Sequence, residues 1–230
     1  MMRHQLYSSL LLSAAVALGG FSIPATAQTP PIVIAQATAE DSITAGLEKY
    51  ARQDYKGAIA DFTQAIKLNP NYSLAYYNRG TCRRKLGDNK GAVEDFTKAI
   101  QINQNWGDKG AAVAYNNRGN ARSDMGDVKG SLTDYDQAIR INPKYGLAYY
   151  NRGNAYSVSG NRKKAMEDYN LAIQYRPDLP EAYFNRAILK ERARDRKGAV
   201  ADYQKSADIY QEQGRMQDYQ DAMQRIRELR

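Results

Sequence analysis

The chain has 230 residues, 43% of them apolar and 25% charged, and its 33 Lys and Arg outweigh 25 Asp and Glu to give a net charge of +8. Such proportions fit one or two folded domains and argue against a disordered chain. The only histidine is His4 and the only cysteine is Cys82, which excludes an internal disulfide; once His4 leaves with the export signal read below, no Ser-His-Asp triad, Cys-His pair or usual zinc site remains.

The first element in chain order is an export signal. Residues 5–39 carry no charged side chain; Arg3 precedes an apolar run from Leu6 to Phe21, and Pro24 leads into Ala25-Thr26-Ala27. A positive start, an apolar stretch and a small-x-small site in that order predict a secretory signal peptide over 1–27. Ala35-Gln36-Ala37 offers a second cut, and a retained anchor is the alternative. Export implies a periplasmic, lumenal or secreted protein. Residues 28–38, with Pro30-Pro31, read as an extended linker.

From residue 39 onward the sequence repeats itself. Gly46, Gly80, Gly119, Gly153 and Ala187 recur at intervals of 34, 39, 34 and 34 residues. Ala58, Ala92, Ser131, Ala165 and Ala199 follow in phase, and after them Phe62, Phe96, Tyr135, Tyr169 and Tyr203. Tyr76, Tyr115, Tyr149 and Tyr183 keep the same beat. Small residues on two antiparallel helices let the backbones approach while aromatics fill the space beside them, so each unit predicts a helical hairpin. Steps of four and three, as in Ala58-Phe62-Ala65, place these residues on one helical face. Gly87-Asp88, Gly126-Asp127 and Gly160-Asn161 read as a left-handed C-cap followed by an N-cap. Asn69-Pro70, Asn142-Pro143 and Arg176-Pro177 read as stops to the second helices.

These residues resemble the tetratricopeptide repeat family in its secreted or periplasmic form. The resemblance implies an all-α fold, a right-handed solenoid of about five helix-turn-helix hairpins over 39–72, 73–106, 112–145, 146–179 and 180–213. A capping helix is expected over 214–230, with Met216, Tyr219, Met223, Ile226 and Leu229 as its apolar stripe. The first repeat departs from the pattern at Ser42, where the others carry tyrosine. The second ends in Gln104 in place of proline, and an insertion, Gly107 to Ala111, follows beside Trp106, the only tryptophan. That insertion reads either as a binding loop or as a local repair for the missing proline. The fifth has Ala187, Ser206 and Gln211 in place of glycine, alanine and proline.

The resemblance also implies a concave groove lined by the first helix of each hairpin. Asn78, Asn117, Asn151 and Asn185 occupy one repeated position there. In some members of the family asparagines at this place grip the backbone of an extended peptide, and an amide suits that task because it both donates and accepts. The other reading is that each amide serves its own fold. Tyr77, Asn120, Tyr150, Asn154 and Phe184 complete the expected partner-binding set, beside Thr81, Asn116 and Ser157. The lining lacks the lysines of a carboxylate clamp. Asp61, Asp95, Asp134, Asp168 and Asp202 recur in phase with the arginines beside the asparagines, and predict ion pairs between packed hairpins rather than an anion site.

Turns 83–90, 156–164 and 190–197 each carry a net +3. They form a basic edge comprising Arg83, Arg84, Lys85, Arg162, Lys163, Lys164, Arg194, Arg196 and Lys197. That edge is either a docking surface for an anionic membrane or an acidic partner, or a solvated face without function. Catalytic, P-loop and calcium-loop motifs are absent, so the expected function is a protein-binding scaffold that is not an enzyme. No cofactor, metal or small-molecule substrate is expected. Helical repeats of similar length read single-stranded RNA, and a pI of 9.4 favours such binding. Export argues against that alternative, and no nucleic acid is expected.

Overall fold

The computed structural model describes residues 38–102 and 107–229, with the side chains of 107–109 excepted. The expected export signal, residues 28–37 of the linker and Trp106 lie outside the described residues. Among the described residues every regular element is a helix. Five first helices, α1 (Ala39–Ala51), α3 (Ser73–Lys85), α5 (Gly107–Asp124), α7 (Gly146–Val158) and α9 (Pro180–Arg192), alternate with five second helices. The second helices are α2 (Tyr55–Leu68), α4 (Asn89–Ile102), α6 (Val128–Ile141), α8 (Arg162–Tyr175) and α10 (Arg196–Glu212); α11 (Met216–Glu228) closes the array. Each helix packs on its sequence neighbours, and α1, α3, α5 and α7 also touch in succession. The result is a solenoid of hairpins.

Close approach sets the hairpins. A Cβ at Gly119 would lie 2.7 Å from the Tyr135 ring, and one at Gly153 would lie 2.8 Å from Tyr169. Phe62, Phe96, Tyr135, Tyr169 and Tyr203 are at most 2% exposed. At the turns, Asp54, Asp88, Asp127, Asn161 and Asp195 each accept the N–H of the residue three further on, at 2.9–3.2 Å. That bond satisfies one of the donors a helix start leaves open. Gly87, Gly126 and Gly160 hold φ near +80°, whereas Gln53 and Arg194 adopt φ 63° in the same place. α2, α6 and α8 stop before their Asn-Pro or Arg-Pro pair. α10 meets no proline at Gln211 and runs to 17 residues where those three run to 14.

One expectation needs correcting. Gly107 to Ala111 is no loop: it forms the first part of α5, which has 18 residues against 13 in α3, α7 and α9. No proline interrupts the stretch, and α5 begins at Gly107 despite its two glycines, Gly107 and Gly110. The stripe on α11 is covered only in part. Ile226 is 1% exposed and packs with Ala187, Ala199 and Tyr203, but Met216 remains 49% exposed.

Candidate functional site

The repeated arginines knit the array together. Arg79, Arg118, Arg152 and Arg186 each donate from Nε and Nη2 to both carboxylate oxygens of Asp95, Asp134, Asp168 and Asp202, at 2.7–3.0 Å. These forks lie within one hairpin, not between hairpins as expected, because the arginine stands on the first helix directly opposite the aspartate of the second. The remaining Nη1 makes the link between hairpins. It donates to Thr63, Thr97, Asp136 and Asn170, each on the preceding second helix, at 2.7–3.2 Å. Tyr76, Tyr115, Tyr149 and Tyr183 lie under the guanidinium groups with 5.2–5.7 Å to the ring centroid. Their phased recurrence is thereby accounted for.

A second cation reaches most of these aspartates. Arg83 meets Asp95 at 2.9 Å, Arg122 meets Asp134 at 2.8 Å and Lys190 meets Asp202 at 2.8 Å. Tyr156 stands at the corresponding place near Asp168. Burial lifts the Asp168 carboxyl above the ordinary carboxylate range, against the pull of Arg152.

The asparagines link successive first helices. Asn117 donates to the Tyr77 hydroxyl at 2.9 Å, Asn151 to Asn116 Oδ1 at 2.9 Å, and Asn185 to Asn154 Oδ1 at 2.9 Å and the Tyr150 hydroxyl at 3.4 Å. Burial raises the pKa of Tyr77 and Tyr150, so both stay protonated and present a hydroxyl to these amides. Asn120 and Asn154 accept from the buried hydroxyls of Tyr135 and Tyr169 at 2.9 and 2.8 Å. The sequence carries a signal for this pairing: where the second-helix aromatic is Phe62 or Phe96, the matching residue is Leu47 or Thr81. Tyr77, Tyr150 and Phe184 rest on Phe96, Tyr169 and Tyr203 of their own hairpins, with ring centroids 5.1–6.2 Å apart.

Asn78 is the exception. Ile43 occupies the place from which Tyr77, Asn116 and Tyr150 serve the next asparagine, and it offers no acceptor. The Asn78 Nδ2 atom is buried without a hydrogen-bond partner. It lines a cavity of about 180 Å³ walled by Leu47, Tyr50, Phe62, Tyr77 and Thr81. Two further cavities follow along the first helices, each of about 270 Å³. One is lined by Arg84, Asn120, Asp124, Tyr135 and Asn151, the other by Asn154, Ser157, Val158, Asn185 and Arg192. Asp124 and Arg192 are members of this surface that sequence reasoning missed.

The basic edge is uneven. Arg83 pairs with Asp95, Arg84 with Asp124 at 3.0 Å, and Arg196 donates to the Leu229 carbonyl. Lys164 lies 5.1 Å over the Tyr156 ring. Lys85, Arg162, Lys163, Arg194 and Lys197 are exposed and enter no ion pair among the described residues. No group of three or more His, Cys, Asp or Glu able to hold a metal gathers among the described residues.

Comparison with known proteins agrees with this architecture. A TPR repeat model matches residues 46–81 and 119–160, and a tetratricopeptide repeat model matches 73–105 and 146–179. Among solved structures, that of MamA is similar with TM-score 0.64 and 25% identity, covering 74% of this chain and 96% of that one. YrrB, described as a TPR protein with an unusual peptide-binding site, is similar with TM-score 0.58 and 19% identity over 74% of this chain and 86% of that one. PilW, described as a type IV pilus biogenesis factor, is similar with TM-score 0.64 and 23% identity over 82% and 91%. No curated protein matches the chain.

Proposed function

We propose that this chain, which carries tetratricopeptide repeats, is an exported scaffold that holds an extended segment of another protein along its first helices. The observation that carries the reading is the Asn78 amide. A buried donor without an acceptor costs about 1–3 kcal/mol, and a peptide carbonyl supplied by a partner would recover that cost. Walls of Leu47, Tyr50 and Phe62 beside it suit an apolar side chain of the same segment. The next two cavities offer amides, hydroxyls and the Arg84–Asp124 pair, a lining suited to main-chain groups.

Peptide binding is stated for YrrB and pilus biogenesis for PilW, and assembly of a larger complex is the corresponding role here. The amides, phenols and paired charges of this surface support a binding role for it. Export rests on the pattern of residues 1–27, and N-terminal sequencing of the secreted chain decides it: Gln28 as first residue is expected, and an intact Met1 removes it. No helix among the described residues is long and apolar enough to cross a membrane.

The test is affinity capture with the full chain and with Asn78→Ala and Leu47→Glu variants, followed by mass spectrometry. A protein retained by the native chain and lost by both variants, with helical circular dichroism unchanged, is the expected outcome. Partners indifferent to both variants would remove the first-helix surface as the binding site.

A further inference from the structure

The hairpins repeat closely enough that a break in the repeat is informative. Six residues after the small residue of the first helix stand Arg52 in the first hairpin, Leu86 and Met125 in the second and third, Ser159 in the fourth and Ala193 in the fifth. Leu86 and Met125 each place a long apolar side chain there, roughly half covered; Ala193 places a methyl group. One residue earlier, Asp124 of the third hairpin is replaced by Arg192 in the fifth.

Both changes fall on one crevice, between the start of α8 and the end of α9 at the hairpin-turn edge. It encloses about 450 Å³. Its floor is apolar, formed by Leu189, 4% exposed, and by Met166. Its rim carries Arg162, Lys163 and Arg192 against one acid, Glu167. Among the described residues none of these three cations joins an ion pair, whereas Arg83, Arg84 and Arg122 near other turns all do. Unspent like charges around a recessed apolar floor repel one another and raise the local affinity for an anion.

We propose that this crevice is a second docking site, and that its occupant is an acidic polypeptide segment carrying one leucine-sized apolar side chain. The floor takes the hydrocarbon, and the carboxylates on either side meet Arg162, Lys163 and Arg192. A bilayer fits less well. Its surface is flat and Leu189 lies at the bottom of the crevice, while the rim presents charged heads and the Ala193 methyl rather than a large apolar group able to enter lipid. The inference is independent of the first-helix reading, although Arg192 also lines the cavity beside Asn185.

The experiment is fluorescence anisotropy of the full chain with a labelled Glu-Glu-Leu-Glu-Glu peptide, beside its Gln-Gln-Leu-Gln-Gln counterpart. The variants are Arg162→Gln with Lys163→Gln, and Ala193→Met, which gives this position the side chain that Met125 holds in the third hairpin without altering charge. Circular dichroism verifies that each is folded. Binding of the acidic peptide is expected to weaken with salt, to fall about tenfold or more in either variant, and to be unchanged by Asn78→Ala, the variant that tests the first-helix surface. Equal binding by the glutamine peptide, or by Ala193→Met, overturns the proposal, as does no binding at about 1 mM peptide. Displacement of the peptide by vesicles containing about 30% phosphatidylglycerol assigns the edge to anionic lipid and overturns it as well.

Discussion

The first hairpin and the third share a backbone plan but close it by different means. In the third, Arg118 forks onto Asp134, whose side chain is 1% exposed, and Arg122 joins it at 2.8 Å. In the first, Ala45 stands where the arginine would be, and Asp61 is met by Lys49 alone, at 2.7 Å with side chains 21% and 41% exposed. Ile43, Leu47 and Phe62 take the places of Asn116, Asn120 and Tyr135. The polar closure is thus a property of hairpins with a predecessor. Where no preceding hairpin is present among the described residues, the arginine's third donor, Nη1, would have no oxygen to reach, and apolar residues take over.

The sharpest way to break this contrast is to remove the two aspartates. Asp134→Ala leaves Arg118 and Arg122, both partly buried, without this acid, and should cost about 3–5 kcal/mol. Asp61→Ala removes a half-exposed pair and should cost about 1 kcal/mol or less. Urea unfolding of both variants measures the difference, and equal losses would erase the distinction between the hairpins.

A smaller effect separates the asparagines. Asn117→Ala forfeits the bond to Tyr77 and should lose about 1 kcal/mol. Asn78→Ala gives up no bond and deletes an unsatisfied donor, so its thermal midpoint should hold or rise.

The smallest effect lies in the fourth hairpin, where Asp168 lacks its second cation. Its folded pKa is raised by burial, so the folded state binds the proton first. This residue therefore penalises folding in full above the raised pKa, and stability recovers as pH falls through it. Tyr156→Arg restores the cation found at Arg122. It should add about 1 kcal/mol or less at neutral pH and remove the recovery on the acid side. Urea midpoints of the variant and the native chain, compared at about pH 7 and about pH 4.5, test the sign; an unaltered pH dependence would refute it.

The hairpins, turns and prolines were legible in the residue pattern because close helix packing demands small and aromatic residues at fixed steps. Turn chemistry was less complete: Gln53 and Arg194 adopt positive φ without glycine, in turns closed by the backbone bonds from Asp54 to Lys49 and from Asp195 to Lys190 that the glycine turns also make. The roles of the asparagines were not legible. They depend on residues 31 to 40 positions earlier, so Asn78 and Asn117 look alike until Ile43 and Tyr77 are placed beside them. The crevice at Ala193 was hidden for a related reason. A missing side chain leaves a mark only when the space it would have filled is known.

The third arm of the arginine fork gives the array a direction of growth. Each hairpin from the second onward brings its own fastener and asks of its predecessor only an oxygen, which Thr63, Thr97, Asp136 and Asn170 supply with three different chemistries. Such a unit can be copied and appended behind another without retuning the one in front. The joint is therefore permissive on one side and exacting on the other, a condition under which tandem duplication lengthens a protein while leaving its existing seams intact.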